Sequence, residues 1–395
     1  MIGVCIKYFH ENYGGMLQAY ATVSMLEEHG MEYELIQYEK TRTPIGIIKS
    51  LPRLLNGVLL NDKYEAFLKK RGIKQHPEFA RNDAIRMEAF HKFKDEYFTK
   101  LSPSFKGYDQ LCKGASRYSA VVTGSDQLWS PAGLPTNYYN LKFVPNNIRK
   151  ISYASSFGVK QIPWYQKNRT TEFLNRIEFI SMRENRGNEI VKELISRDVA
   201  TILDPVFMFD KDGWQKLIPV NKEIDEPYIF AYFLGSNPEH RTGVKVAAKK
   251  LGCKVIALRH LDQYVPDDEK FGDIALYDVG PDRFLNLLRG AEYVCTDSFH
   301  GSCFSIIHRK KFVTFNRYAE GSKHSKNSRI DTLCEILGFQ DIRYSSIEKL
   351  AGQLNCNIKY DVVATRLDNL KKETDEYLEK AFSGINGVRY DIHKR

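Results

Sequence analysis

The sequence predicts an α/β protein of two doubly wound, Rossmann-like domains that face each other across a cleft. Three observations lead there. The chain has 395 residues, too many for one ordinary core and enough for two. Short apolar segments alternate with amphipathic ones, the mark of a mainly parallel sheet covered on both faces. The alternation breaks once, between Phe209 and Pro227, in a stretch holding charges, Gly213, Pro219 and Pro227, and then resumes, as expected at a domain boundary.

In the first half, strands are expected at 2–8, 33–38, 120–123, 150–155, 178–182 and 200–203, with helices at 15–29, 163–176 and 185–195. Together they form an N-terminal domain of residues 1–208. Residues 41–105 interrupt the rhythm. Within them, 65–98 reads as one or two amphipathic helices rich in Lys, Arg, Phe and Tyr, inserted between the second and third strands.

The second half, 209–361, is expected to hold strands at 228–233, 254–257, 274–277, 293–295 and 312–315, and helices at 239–251, 281–289, 300–308 and 329–337. In the closing segment, 362–395, Val363, Leu367, Leu370, Tyr377, Leu378 and Ala381 recur at a mostly helical period. The expected helix packs back on the N-terminal domain. Ligands of such folds usually bind in the crevice between the domains.

Composition narrows the class. Hydrophobic residues make up 43% of the chain and aromatic residues 12%, enough for two cores and too much for wholesale disorder. No apolar run approaches the roughly 18–20 residues that span a bilayer. The opening MIGVCIKYFHENYGG reads as a first strand rather than a signal peptide. Seven cysteines, an odd number without a CxxC pair, point to reduced buried thiols and a cytoplasmic protein. The net charge is +9, and Lys40–Arg117 alone carries 17 Lys and Arg against 8 Asp and Glu, an excess of nine. That segment is either a solvated helical face or a surface for phosphates, an anionic glycolipid or an anionic membrane face. Nucleic acid is not an expected partner.

The densest chemical signal is YVCTDSFHGSCFSIIH, Tyr293 to His308. A strand ends at Cys295, Thr296, Asp297 and Ser298 offer helix caps, and His300 and Gly301 open an apolar helix. His300 is thereby set at the carboxyl edge of a parallel sheet and at a helix N-terminus, where free N–H groups suit an anion. The same field favours the uncharged imidazole, which can take a proton from a hydroxyl. The plain alternative is a capping turn with a packed histidine; the agreement of strand end, caps and Gly301 favours function.

Three further stretches follow strands. Asn12, Gly14 and Gly15 open the first helix, where glycine lets backbone approach a ligand, although a simple tight turn would look the same. Ser125, Asp126, Gln127 and Trp129 offer polar groups at a cleft and a ring able to stack on a sugar; the competing reading is a cap with Trp129 in the core. Arg183 follows an apolar strand and can bind a carboxylate or phosphate at two points, or else pair with an acid such as Glu184. In the basic loop 323–329, Lys323 and Lys326 read as surface residues and Arg329, adjoining a helix, as the better ligand candidate. GxGxxG, P-loop and GxSxG patterns are missing, as are clustered zinc ligands, and Asp210 to Gly213 lacks the later acids of a calcium loop.

Taken in order, NYGGMLQAYA, VVTGSDQLW, ISYASSFG, SMRE, TILDP, GPDRFLNLLRGAEYVCTDSFHGSCFSIIHRKKF and SRIDTLCEILGF resemble the polysaccharide pyruvyl transferase family from Asn12 to Phe339. The resemblance implies a fold similar to GT-B glycosyltransferases, phosphoenolpyruvate as donor and a pair of sugar hydroxyls as acceptor. The sugar would belong to a cell-surface polysaccharide or its lipid-linked precursor. The family's key histidine maps onto His300 and a donor-binding arginine onto Arg183, with Arg329 a further candidate. Asp126 or Asp297 would orient His300 or supply a proton. Ser298, Gly301, Asn12, Gly14, Gly15, Ser125, Gln127 and Trp129 complete the expected binding set. No metal or redox cofactor is implied. A lipid-linked acceptor would bring the protein to the inner face of the cytoplasmic membrane. Two rival readings are a nucleotide-sugar glycosyltransferase of GT-B type and a non-catalytic carbohydrate-binding subunit. The oligomeric state is left open.

Overall fold

A computed structural model describes residues 1–41, 57–259, 261–318, 328–339, 342–385 and 390. Its first half runs β1 (Ile2–Cys5), α1 (Tyr13–Glu28), β2 (Tyr33–Leu35), β3 (Tyr38–Glu39), α2 (Gly57–Gln75), α3 (Pro77–Tyr97), β4 (Phe105–Lys106), α4 (Tyr108–Gly114), β5 (Ala120–Thr123), β6 (Arg149–Ser155), α5 (Lys167–Asn175), β7 (Phe179–Met182), α6 (Asn185–Ile195), β8 (Ala200–Thr201) and α7 (Lys211–Leu217). The second half runs β9 (Tyr228–Tyr232), α8 (Pro238–Leu251), β10 (Lys254–Leu258), β11 (Ile274–Ala275), α9 (Pro281–Gly290), β12 (Tyr293–Thr296), α10 (Phe299–Ile307), β13 (Lys311–Thr314), α11 (Ser328–Leu337), α12 (Ile347–Asn355) and α13 (Tyr360–Phe382).

The strands build two parallel sheets, β2-β1-β5-β6-β7-β8 and β11-β10-β9-β12-β13. Their central strands, such as Ala120–Thr123 and Tyr228–Tyr232, are buried along their whole length, which is why they read as apolar runs rather than alternating ones. In each sheet the chain starts in the middle and winds both ways. The order therefore reverses beside β1 and β5 in one sheet and beside β9 and β12 in the other. Crevices open at the carboxyl ends of such strands.

Residues 41–105 leave and return at one place, because β3 and β4 pair in parallel, Tyr38 opposite Phe105. Between them α2 and α3 form a hairpin. Pro77 at the first turn of α3 cannot continue the preceding helix and separates the two.

Side chains bridge the two sheets. The Tyr13 ring stacks on Phe284 at 4.7 Å and its hydroxyl donates to the Val279 carbonyl at 2.9 Å. Arg86 of α3 donates to the carbonyls of Tyr277 and Leu276, each at 2.8 Å. At the other end α13 runs back to the first sheet. Tyr377 donates to the Ser152 carbonyl at 2.7 Å, and the Leu203 amide donates to Thr374 Oγ1 at 3.2 Å. Among the described residues no helix is long and apolar enough to cross a membrane.

Candidate active site

Five strands of the two sheets deliver polar side chains to one place from just beyond their carboxyl ends. Lys7 follows β1, Ser125 and Asp126 follow β5, Arg183 follows β7, Asp204 follows β8, and His300 follows β12. Arg183 and Asp204 are at the centre, their side chains each 1% exposed. Arg183 Nη1 donates to Asp204 Oδ2 at 2.6 Å and to Ser125 Oγ at 3.2 Å. Ser125 Oγ donates to the same Asp204 oxygen at 2.9 Å. His300 Nε2 is 3.4 Å from that oxygen. Asp126 closes the ring of charges, 3.5 Å from Arg183 Nη2 and 3.8 Å from Lys7 Nζ. Its φ of 76° is in the left-handed region, where a non-glycine residue is held only by its surroundings.

Burial pushes both carboxyl groups up, but the neighbouring cations and the His300 ring outweigh it. Lys7, Arg183, Arg329 and His300 hold Asp126 well below the usual carboxylate range. His300 and Arg183 do the same for Asp204. Arg329, on α11, is pushed down by burial and by the like charge of Arg183. Both guanidinium groups lie over the Phe299 ring, Arg183 at 4.8 Å and Arg329 at 5.7 Å from its centroid. Among the described residues, Arg183 Nε and Arg329 Nε are buried without a hydrogen-bond acceptor, and Arg183 Nη2 has only the ion pair with Asp126. Buried donors of this kind are rare, and two adjoining guanidinium groups that hold them have the chemistry to take an anion. A cavity of about 30 Å³ lies against them, lined by Arg183, Asp204, Phe299, Arg329 and Leu370.

The structure thus brings together His300, Ser125, Asp126, Arg183 and Arg329. Gly14 joins them from α1: a Cβ there would fall 2.2 Å from His300 Nδ1, so only glycine lets the ring come against the helix. Ser298 caps α10, its Oγ accepting from the Gly301 amide at 3.3 Å. Asn12 likewise caps α1 through the Gly15 amide at 2.8 Å. Gln127 is half-buried, with Nε2 lacking a partner.

Two expectations are corrected. Trp129 does not face a ligand. It is 1% exposed, packs on Phe157 and Phe173, and donates Nε1–H to the Tyr139 carbonyl at 3.1 Å. An indole fills an apolar core well once its one polar atom is satisfied. Asp297 does not orient His300. Its two oxygens accept from the amides of Leu234 and Gly235 at 2.6 and 2.8 Å, fixing the loop after β9. The carboxylate beside the imidazole is Asp204, which the sequence reading did not single out. Its signal was its place after a strand, shared with Arg183 and His300. Lys323 and Lys326 lie outside the described residues.

A model of the family described as polysaccharide pyruvyl transferase matches residues 12–317. The chain belongs to this family. As a polysaccharide pyruvyl transferase family member it is a transferase, and its site residues fall within the matched span except for Lys7 and Arg329. No curated protein sequence matches the chain. Among solved structures it is similar to a Listeria monocytogenes protein assigned as a UDP-N-acetylglucosamine 2-epimerase, with TM-score 0.50 and 10% identity over 94% of this chain and 91% of that one. It is also similar to the Neisseria meningitidis UDP-GlcNAc 2-epimerase bound to UDP-GlcNAc, with TM-score 0.44 and 10% identity over 96% and 99% of the two chains. At such identity the likeness is one of fold, and the fold is the GT-B-like arrangement of two parallel sheets.

A larger cavity, about 440 Å³, opens where the α2–α3 turn meets the second half of this transferase. Gln75, His76, Phe79, Arg259, Tyr264 and Tyr277 line it, with the His76 and Tyr264 rings stacked at 3.5 Å. It shares Arg259 and Leu261 with a smaller cavity that Asn12 and Tyr13 also line. Those two residues directly precede Gly14.

Proposed function

We propose that the protein transfers the pyruvyl group of phosphoenolpyruvate onto two hydroxyls of a sugar, forming a cyclic ketal. The observation that carries this reading is His300 facing Asp204 beside two guanidinium groups in which Arg183 Nε and Arg329 Nε are buried without an acceptor among the described residues. Phosphoenolpyruvate is a small anion with a phosphate and a carboxylate, and Arg183 and Arg329 can take one planar or tetrahedral oxyanion each. His300 Nε2 faces Asp204 Oδ2 at 3.4 Å; with the ring proton placed on that nitrogen, the basic nitrogen is Nδ1.

The order of events follows from the donor's chemistry. A proton drawn from solvent adds to the methylene carbon, which becomes a methyl group, and positive charge develops at the central carbon. A sugar hydroxyl attacks that carbon and gives its proton to His300. The bond to the phosphate oxygen breaks and phosphate leaves with its electron pair. The second hydroxyl then attacks the same carbon and closes the ketal, its proton passing to the departing phosphate. Asp126, beside Arg183 and Lys7, steadies their charge. The acceptor glycan extends toward the larger cavity at the α2–α3 turn, where aromatic rings and polar groups of both signs suit a carbohydrate.

The test is direct. Purified protein, phosphoenolpyruvate and a panel of galactosides, glucosides and mannosaminides should release phosphate and yield a product heavier by about 70 Da, the mass that group transfer with ketal closure adds. His300→Ala should lower the rate about 100-fold or more. Binding of a nucleotide sugar but not of phosphoenolpyruvate, by calorimetry, would overturn the reading.

A further inference from the structure

Helix α2 presents an unusual outer face. Leu60, Tyr64 and Phe67 are 47%, 60% and 58% exposed, three of the few large apolar side chains left in water. Positions 60, 64, 67, 71 and 74 follow the four-three spacing that lines one side of a helix. The stripe therefore continues from Leu60, Tyr64 and Phe67 into Arg71 and Lys74, both exposed. Lys63 and Lys70, also exposed, flank it one position away. The helix packs inward through another side, where Gly72 meets Tyr264 and Phe79. Lys69 on that other side is already paired with Asp83 at 2.9 Å. The residues ahead of the helix, TPIGIIKSLPRLLN, are mostly apolar, with Lys49 and Arg53 and no acid.

An apolar stripe with aromatic rings, bordered by lysines and an arginine, matches a surface that is hydrocarbon beneath and negatively charged above. We propose that the outer face of α2 docks the protein on an anionic lipid bilayer. Leu60, Tyr64 and Phe67 enter the boundary between headgroups and acyl chains, and Lys63, Lys70, Arg71 and Lys74 lie against the lipid phosphates. Charge decides against a second copy of this chain as the occupant, since the cations are on the same face as the stripe and would repel a like copy. The same helix ends at Gln75, which lines the larger cavity. A sugar held on a lipid headgroup would thus meet the cavity at the end of the docked helix.

Vesicle co-sedimentation tests the docking without any substrate, so its outcome is separate from that of the transfer reaction. The full chain should sediment with vesicles of phosphatidylcholine containing about one third phosphatidylglycerol, and far less with phosphatidylcholine alone. Raising salt to about 0.5 M should release most of it. Two triple variants on the exposed face, Leu60→Ser/Tyr64→Ser/Phe67→Ser and Lys63→Glu/Lys70→Glu/Lys74→Glu, should each bind at least about tenfold more weakly. Their circular dichroism should stay that of the wild type. Failure of the wild type to sediment with anionic vesicles, or wild-type binding by both variants, would overturn the proposal. So would light scattering that shows a dimer dispersed by the first variant in a chain that ignores vesicles.

Discussion

Gly14 and His300 are in contact so close that a single methyl group on Gly14 would lie 2.2 Å from Nδ1 and 2.4 Å from Cγ of the imidazole. Gly14 is within α1, so alanine would ordinarily be favoured there by about 1 kcal/mol. The ring reverses that preference, because overpacking costs about 1–3 kcal/mol and the side chain is freer to shift than the helix. Gly14→Ala should leave the circular dichroism unchanged while phosphate release falls at least about tenfold, since misplacing a reacting group by about 1 Å has costs of that order. Turnover at the wild-type rate would mean that the ring's position is not critical.

Asp204 ties the site together, accepting from Arg183 and Ser125 and facing His300. Asp204→Asn keeps the shape and removes the charge. It leaves the buried Arg183 without a full counter-ion, a loss of about 3–5 kcal/mol where such a pair is broken outright. Denaturant unfolding should show a clear drop in stability, and turnover should fall with it. Asp297→Asn is the control. It weakens one of two amide contacts to the β9 loop, so about 1–3 kcal/mol of stability should go while the turnover of the folded fraction changes much less. Equal losses of turnover in the two variants would refute the division of roles.

The frame of this site was legible in the sequence because parallel strands are short apolar runs with polar residues at their ends. Ala120–Thr123 and Asn185–Ile195 come out residue for residue, and His300 was marked by the strand before it and the caps around it. What the sequence does not carry is direction. Trp129 and Ser125 are four positions apart beyond one strand, yet one turns into the core and the other into the cleft. Asp204 and Asp297 look alike as acids after strands, and only the packing of two sheets decides which one meets the imidazole. Helix α12 was missed because its apolar Leu350, Ala351 and Leu354 span too few turns to set a period.

Trp129 separates core from ligand contact in a measurable way. Trp129→Phe retains most of the packing on Phe157 and Phe173 but loses the bond to the Tyr139 carbonyl. Stability should fall by about 1–3 kcal/mol, the range for leaving a buried carbonyl unpaired with some loss of volume. KM for the sugar should stay within about twofold, because the ring never reaches it. A tenfold rise in KM at unchanged stability would restore Trp129 to the binding set.

His308 gives the fold an acid sensitivity of its own. It caps α10, is 7% exposed, and neither ring nitrogen has a hydrogen-bond partner among the described residues. Burial, helped by Arg289, Lys310 and Lys211, pushes its imidazole down to about 3. An unfolded histidine takes up its proton near pH 6.5. Between those values the unfolded chain binds the extra proton, so stability present at pH 7 is lost as the pH falls through that window. At pH 5 the loss from this one group is about 2 kcal/mol. His308→Gln cannot be protonated, so the difference in unfolding free energy between pH 7 and pH 5 should shrink by about that amount in the variant. Parallel pH dependences in the two proteins would show that His308 stays accessible to a proton in the folded chain.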